Sequence, residues 1–298
     1  MSCIICNSNN QKLLFKDVLD LEYSTYKPVS YILCKNCNLI SQDPVPPKSL
    51  IKTFYPEDYR NYLPINDSFF SLLKRIQFTN LAAKISKYIN KDSKILEIGC
   101  GNGELLLASQ KKGFSKLYGC DFTHENLKTL IENKINVQAC DIEKDFPFNE
   151  PFDLIIMNNV IEHFINPEKV LINCKNNLQE NGKIILITPN SNALEFSIFK
   201  KYWAGLHSPR HTFIFNSANI QMLAKKSGFT KIEIKPITDA GQWSISIQNL
   251  LQSTNITKTK LKNGLAFYAL PISLVFAPIA LFQNVIGKST SMMCVMGD

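Results

Sequence analysis

Two C-x-x-C pairs, Cys3 with Cys6 and Cys34 with Cys37, stand 27 residues apart. Each pair puts two sulfurs on one tight turn. Two such turns brought together offer four thiolates in a tetrahedron, the arrangement Zn²⁺ takes when protein fills every coordination position. A metal held that way is structural. A redox role is not expected, because no βαβ pattern surrounds either pair. A second group of residues lies in ILEIGCGNGELLL, where Gly99, Gly101 and Gly103 let the backbone turn sharply and approach a ligand. The spacing is not G-x-x-x-x-G-K-[ST], nor G-x-G-x-x-G, since Glu104 takes the sixth position. Glu97, two residues before the first glycine, is ill placed beside a pyrophosphate and suits a ligand with a cationic amino-acid end. Asp121 ends the next apolar run, where a carboxylate accepts both ribose hydroxyls. Asp141 ends the third, within reach of an adenine amino group.

The elements that must position these residues alternate. Short apolar strands are predicted at 94–98, 116–119, 136–139, 152–157, 183–188 and 230–235. Amphipathic helices are predicted at 104–112, 125–133, 167–179 and 218–227. That order implies a doubly wound α/β sheet of Rossmann type, covered on both faces, with ligands at the C-terminal strand ends. Ahead of it, strands at 11–15 and 29–33 lie between the two C-x-x-C turns. Pro44, Pro46 and Pro47 mark an extended linker. FYPEDYRNYLP is aromatic and irregular. Helical spacing then runs over 67–89 through Phe70, Leu73, Ile76, Leu81, Ile85 and Ile89, with Asp67 or Ser68 as N-cap.

The stretch from about 93 to 234 resembles class I S-adenosylmethionine-dependent methyltransferases. E-I-G-C-G-N-G resembles their first motif, and Asp121, with Phe122 beside it, matches their ribose-binding acid. Cys140-Asp141-Ile142 matches the adenine-contacting position, and Asn158 falls at the tip of the fourth strand. The N-terminal part, C-x-x-C, then C-x-x-C-N-L, a proline step and FYPEDY, is similar to zinc-ribbon methyltransferases linked to sugar and cell-surface glycan biosynthesis. The resemblance implies a seven-stranded sheet, with the sixth strand at 231–235 and the seventh at 291–296. It divides the chain into a zinc-ribbon module (1–43), a linker and helix (44–92), a cofactor-binding domain (93–239 with 289–298) and an apolar helical insertion (240–288). S-adenosyl-L-methionine and structural zinc are the implied cofactors. The implied acceptor is a small molecule or glycan precursor carrying a hydroxyl, in surface polysaccharide or secondary metabolism.

Methyl transfer is an in-line displacement, and a hydroxyl acceptor must also lose a proton, which favours a positioned His or carboxylate. Of four histidines, His163 follows the fourth strand and His207 and His211 lie in WAGLHSPRHTF after the fifth. His163 and His211 are the expected bases. Each has a structural alternative, as a helix-start hydrogen bonder and as a loop-ordering residue. Tyr202, Trp203, His207 and Arg210 are expected at the acceptor, with loop anchors or a loop salt bridge as the alternatives. His124 is expected near the ribose or in solvent. The Glu162-His163 step resembles ubiquinone-biosynthesis O-methyltransferases, in which acids and that His can hold a divalent cation. Here Asn159 replaces the earlier acid, which weakens such a site.

The composition is that of an ordinary globular chain, 45% hydrophobic and 19% charged, with 33 Lys+Arg against 25 Asp+Glu for a net +8. The excess is scattered rather than gathered into an arm, so a solvated basic surface is expected and nucleic acid is not favoured. MSCIICNSNN shows no basic segment followed by an apolar one. With nine cysteines this leads us to expect the reducing cytoplasm, with peripheral contact at the inner face of the membrane as a further option. The insertion carries a charge-free stretch, 263–287, broken by Pro271 and Pro278. Two apolar helices, packed on the domain or forming a homodimer face, or docked shallowly on a membrane, account for it. A full span would place the seventh strand across the bilayer from its partners. Rival activities are RNA or protein methylation, or a non-catalytic binding protein that keeps the fold.

Overall fold

The computed structural model describes residues 2–57, 59, 69–122, 127–254, 261–262 and 264–298, with only the backbone of 69–71. His124, the N-cap alternatives Asp67 and Ser68, and all of RNYLP lie outside the described residues.

Among these residues, seven strands form the main sheet: β4 (Ile95–Ile98), β5 (Leu117–Asp121), β6 (Asn136–Ala139), β7 (Phe152–Asn158), β8 (Leu178–Pro189), β10 (Lys231–Ile237) and β11 (Ser291–Gly297). Their order is β10-β11-β8-β7-β4-β5-β6. The first five in sequence pair in parallel, while β11 slots between β8 and β10, antiparallel to both. The continuous apolar runs follow from burial on two faces. Leu96, Ile98, Ile155, Met157, Ile184 and Leu186 point to one layer, and Ile95, Leu154, Ile156, Ile185 and Ile187 to the other. Helices α5 (Pro167–Asn176) and α7 (Ser217–Lys226) cover the first layer. Helices α2 (Phe69–Ile85), α3 (Glu104–Lys111) and α4 (Lys128–Glu132) cover the second. Asn216 caps α7 through a reciprocal bond with Asn219. Strand β8 begins five residues before the predicted start. The helix expected to reach Gln179 stops at Asn176.

The N-terminal residues form a second sheet of β1 (Gln11–Val18), β2 (Val29–Cys34), β3 (Ile40–Asp43) and β9 (Phe213–Ile214). Its last strand comes from the large domain, with Ile40 opposite Ile214 and Ser41 opposite Phe213. Cys3, Ile5, Cys37 and Leu39 pack in the same apolar cluster as Phe213, Phe215 and Ile220. The small sheet that precedes the boundary expected at residue 43 is thus completed by a strand from the large domain. The linker adds α1 (Lys48–Ile51).

In the insertion, α8 (Gly241–Ser253) and α9 (Ala269–Val285) pack against each other, and α6 (Leu194–Phe199) packs on α8. Among the described residues no helix is long and apolar enough to cross a membrane.

Candidate active site and thiolate cluster

The loop between β4 and α3 is left-handed at Gly99 (φ +68°), Gly101 (φ +52°) and Gly103 (φ +80°). A Cβ at Gly103 would sit 2.1 Å from Leu130 Cδ2, and one at Gly99 would sit 2.5 Å from Val160 Cγ2. Both glycines are therefore required by φ and by packing. Gly101 N–H donates to Asp121 Oδ2 and Phe122 N–H to Asp121 Oδ1, each at 2.8 Å. The acid expected to hold ribose thus ties the loop to the neighbouring strand tip. Glu97 is buried on β4, and its Oε2 has no hydrogen-bond partner. Its pKa is pushed well above the usual carboxylate range by burial, then by the charges of Asp121 and Glu104. A buried carboxyl with one orphaned oxygen beside two more acids fits a cationic ligand group. Lys74 Nζ lies 2.9 Å from Glu104 Oε1.

Asp141 is met by Lys48 Nζ of α1 at 2.7 Å, and the same ammonium reaches Glu143 at 3.2 Å. Glu143 accepts in turn from the N–H groups of Ile165 and Asn166, at 3.0 and 2.7 Å. The linker therefore closes on the expected adenine edge. Ile142 is buried there, Phe122 is exposed, and Asn158 ends β7.

Across the strand tips three histidines come together. The rings of His163 and His211 have centroids 4.7 Å apart, and those of His207 and His211 5.2 Å. His211 Nδ1 lies 2.8 Å from the Gly205 carbonyl, and His163 Nδ1 lies 3.0 Å from the Arg210 carbonyl. A carbonyl only accepts, so both Nδ1 atoms donate and each Nε2 keeps a bare lone pair. Burial holds His163 down at about 4, against which the Arg210 carbonyl works. Burial, then the charges of His163 and His207, place His211 well below the usual imidazole range. Glu162 is fully buried, and its pKa is pushed up to about 8 by that burial. Its Oε2 accepts from Thr188 Oγ1 at 3.0 Å, and its Oε1 stands 3.8 Å from His211 Nε2. Glu162, His163 and His211 bring one ligand atom each within 4.8 Å of one another.

Three residues not singled out from the sequence complete this centre. The Tyr55 hydroxyl lies 3.0 Å from His163 Nδ1, the Tyr59 hydroxyl 3.1 Å from His207 Nε2, and Glu22 Oε1 2.8 Å from His207 Nδ1. The tyrosines belong to FYPEDY. Its aromatic content was the visible signal, but nothing in it points to a partner more than 100 residues away.

The remaining predicted acceptor residues are placed differently. Arg210 is buried and its guanidinium reaches both oxygens of Asp20, at 2.9 and 3.3 Å, and stacks over Tyr23. Together with Thr25 this holds Asp20 below the usual carboxylate range, against its burial. Here the loop salt bridge weighed as the alternative is the arrangement found, with its acid in the N-terminal module. Trp203 is buried against Phe196, centroids 5.0 Å apart, in a cluster with Tyr31 and Ile214. The Tyr202 carbonyl accepts from Asn249 Nδ2 at 3.3 Å. Trp203 therefore anchors the loop on α6 and the small sheet, and Tyr202 ties it through its carbonyl to the insertion.

The four N-terminal sulfurs also meet. Cys3 and Cys37, and Cys6 and Cys34, are each 3.5 Å apart, and all four lie within 4.8 Å of one another. Tetrahedral zinc with bonds of about 2.3 Å needs sulfurs about 3.8 Å apart, so the donor set fits one ion.

The methyltransferase-domain family matches residues 73–234. Among relatives, a mitochondrial ubiquinone biosynthesis O-methyltransferase of Bos taurus is 29% identical over 126 residues, 38% of this chain and 34% of that protein. A ubiquinone biosynthesis O-methyltransferase of Maricaulis maris (strain MCS10) is 27% identical over 167 residues, 49% of this chain and 64% of that protein. The chain thus spans about a third of the bovine relative's length and under two thirds of the bacterial one's. A SAM-dependent methyltransferase structure from Archaeoglobus fulgidus superposes with a TM-score of 0.51 at 16% identity, covering 78% of this chain and all of that one. It has the same fold.

Proposed function

We propose that this chain, which belongs to the methyltransferase-domain family, transfers a methyl group from S-adenosylmethionine to a hydroxyl of a sugar-like or glycan-precursor small molecule. The cofactor half of this reading is carried by one observation: a glycine loop bonded to Asp121 beside the buried Glu97, whose Oε2 has no hydrogen-bond partner among the described residues. Bound there, the cofactor supplies a sulfonium methyl already activated for in-line displacement. The chain's own task is to bind, orient and move a proton. Gly99, Gly101 and Gly103 admit the ligand backbone-close. Asp121 with Phe122 takes the ribose, and Asp141 with Ile142 takes the adenine edge. Asn158 lies at the β7 tip, and Glu97 answers the cationic amino end.

The acceptor hydroxyl gives its proton to Nε2 of His163, the more exposed of the paired imidazoles. Arg210 carbonyl and Tyr55 hydroxyl fix that ring. Glu162, which burial keeps protonated up to about pH 8, stands 3.8 Å from Nε2 of the neighbouring His211. An acceptor side walled by Glu22, Tyr55, Tyr59 and three histidines favours a polyhydroxyl compound over an apolar one. The relatives named for ubiquinone biosynthesis support oxygen as the acceptor atom, and they favour a phenolic hydroxyl as the second reading. We assign the four N-terminal thiolates to structural zinc, and nine unbridged cysteines favour a reducing compartment.

Labelled methyl transfer to nucleotide sugars and to phenolic quinone precursors tests the acceptor. The account expects labelled sugar, with turnover of His163→Ala falling about 100-fold or more. Label on phenols alone replaces the acceptor, and label on RNA or protein replaces the class.

A further inference from the structure

Helix α9 is turned inside out. Its polar side chains face the protein: Ser273 Oγ bonds Ser244 Oγ at 2.9 Å, and Gln283 accepts from Trp243 Nε1 at 2.8 Å. Gln283 also donates to the buried Glu195, and Asn284 to Thr238. The outer face is apolar throughout. Leu274, Val275, Ile279, Phe282 and Val285 are exposed, Val285 by 82%, and Phe267 just ahead of the helix by 86%. At 100° per residue these positions fall on one arc of the helix, and it holds no polar residue. Water is the wrong neighbour for such a surface.

Charge indicates the right one. From 240 to 297 the sequence holds no Asp or Glu, and its four lysines flank the helix, Lys258, Lys260 and Lys262 before it and Lys288 after it. Lys262 and Lys288 are exposed. A second copy packed isologously would bring these cationic ends together with no acid in the segment to meet them. An anionic lipid surface meets the apolar face with acyl chains and the lysines with headgroups. The helix is about 25 Å long at 1.5 Å per residue, and no described helix is long and apolar enough to span.

We infer that the outer face of α9, with Phe267, docks in the plane of an anionic membrane interface. The test is flotation of the full chain with phosphatidylcholine vesicles, with and without phosphatidylglycerol. The chain floats with the anionic vesicles, and raising salt weakens the binding. Val275→Glu/Phe282→Glu lowers the bound fraction about tenfold or more with unchanged far-UV circular dichroism. The single changes Phe267→Glu and Val285→Glu, at the two most exposed positions, lower it in the same direction. Lys262→Glu/Lys288→Glu removes the preference for anionic over neutral vesicles. Wild-type chain left unbound by anionic vesicles overturns the inference. So does a dimer in solution that Val275→Glu/Phe282→Glu dissociates, which assigns the face to a second copy. Because flotation reads no methyl transfer, either result leaves the enzymatic reading standing.

Discussion

Replacing Glu162 by Gln perturbs the most deeply buried acid of the proposed acceptor side. Its carboxyl sits against Thr188 and His211 with no Lys or Arg partner among the described residues, and burial raises its pKa from 4.5 to about 8. The sign follows from proton counting. The folded chain holds this proton where the unfolded chain has lost it. The associated stability is complete below the unfolded value and drains away as pH climbs through about 8. His163, lowered to about 4, and His211, held well below the usual imidazole range by burial, work in the opposite window. Their contribution is full above the ordinary imidazole value and is lost only as pH falls below it. Above about pH 6.5 they are silent. Glu195, raised by burial to about 7, is common to both proteins and cancels in the comparison. Between pH 6.5 and 8 Glu162 alone withdraws about 2 kcal/mol, or about 4 °C of melting temperature for a chain of this size. Gln keeps an oxygen for Thr188 and carries no proton to lose. Thermal unfolding of both proteins at pH 6.5 and 8.5 is the assay. Glu162→Gln gains on wild type by about that amount at the higher pH. Curves that shift in parallel refute the buried, proton-holding carboxyl.

Further outcomes follow from single contacts. Gly103→Ala forces a Cβ toward Leu130 at a left-handed φ and destabilises by about 2 kcal/mol, read by denaturant unfolding, with loss of cofactor binding. Arg210→Met strands Asp20 in a buried site and costs about 3 kcal/mol. The remaining folded protein still binds cofactor, which separates this locking role from acceptor contact. Tyr55→Phe removes the hydroxyl at His163 Nδ1 and lowers kcat about tenfold with KM for S-adenosylmethionine unchanged. Elemental analysis finds one zinc per chain, and Cys34→Ser lowers that content and loosens the N-terminal sheet to protease.

Local signals made the main sheet legible. The apolar run of FDLIIMN, the glycine loop and the acid at LYGCD each announce a strand tip within a few residues. Contacts between distant residues left no such trace. Phe213 and Ile214 form only a two-residue strand, and nothing in their neighbourhood shows that they complete the N-terminal sheet. Arg210 reads as an acceptor ligand until Asp20, 190 residues earlier, is found against it. The start of β8 was hidden because Asn181 and Gly182 interrupt the apolar pattern, and the pairing with β7 passes from Leu178 to Lys183 across an irregularity. The three histidines could be placed on the correct side of the sheet from their positions after strands. The tyrosines that fix their rings arrive from the linker, whose irregular sequence has no period to read.

The proposed chemistry rests on whether the early strand tips hold S-adenosylmethionine. Calorimetric titration of the full chain with S-adenosylhomocysteine measures this directly. The account predicts one site per chain, lost in Asp121→Ala while the circular dichroism spectrum stays unchanged. No binding heat from folded wild-type protein, or equal binding by Asp121→Ala, would contradict it.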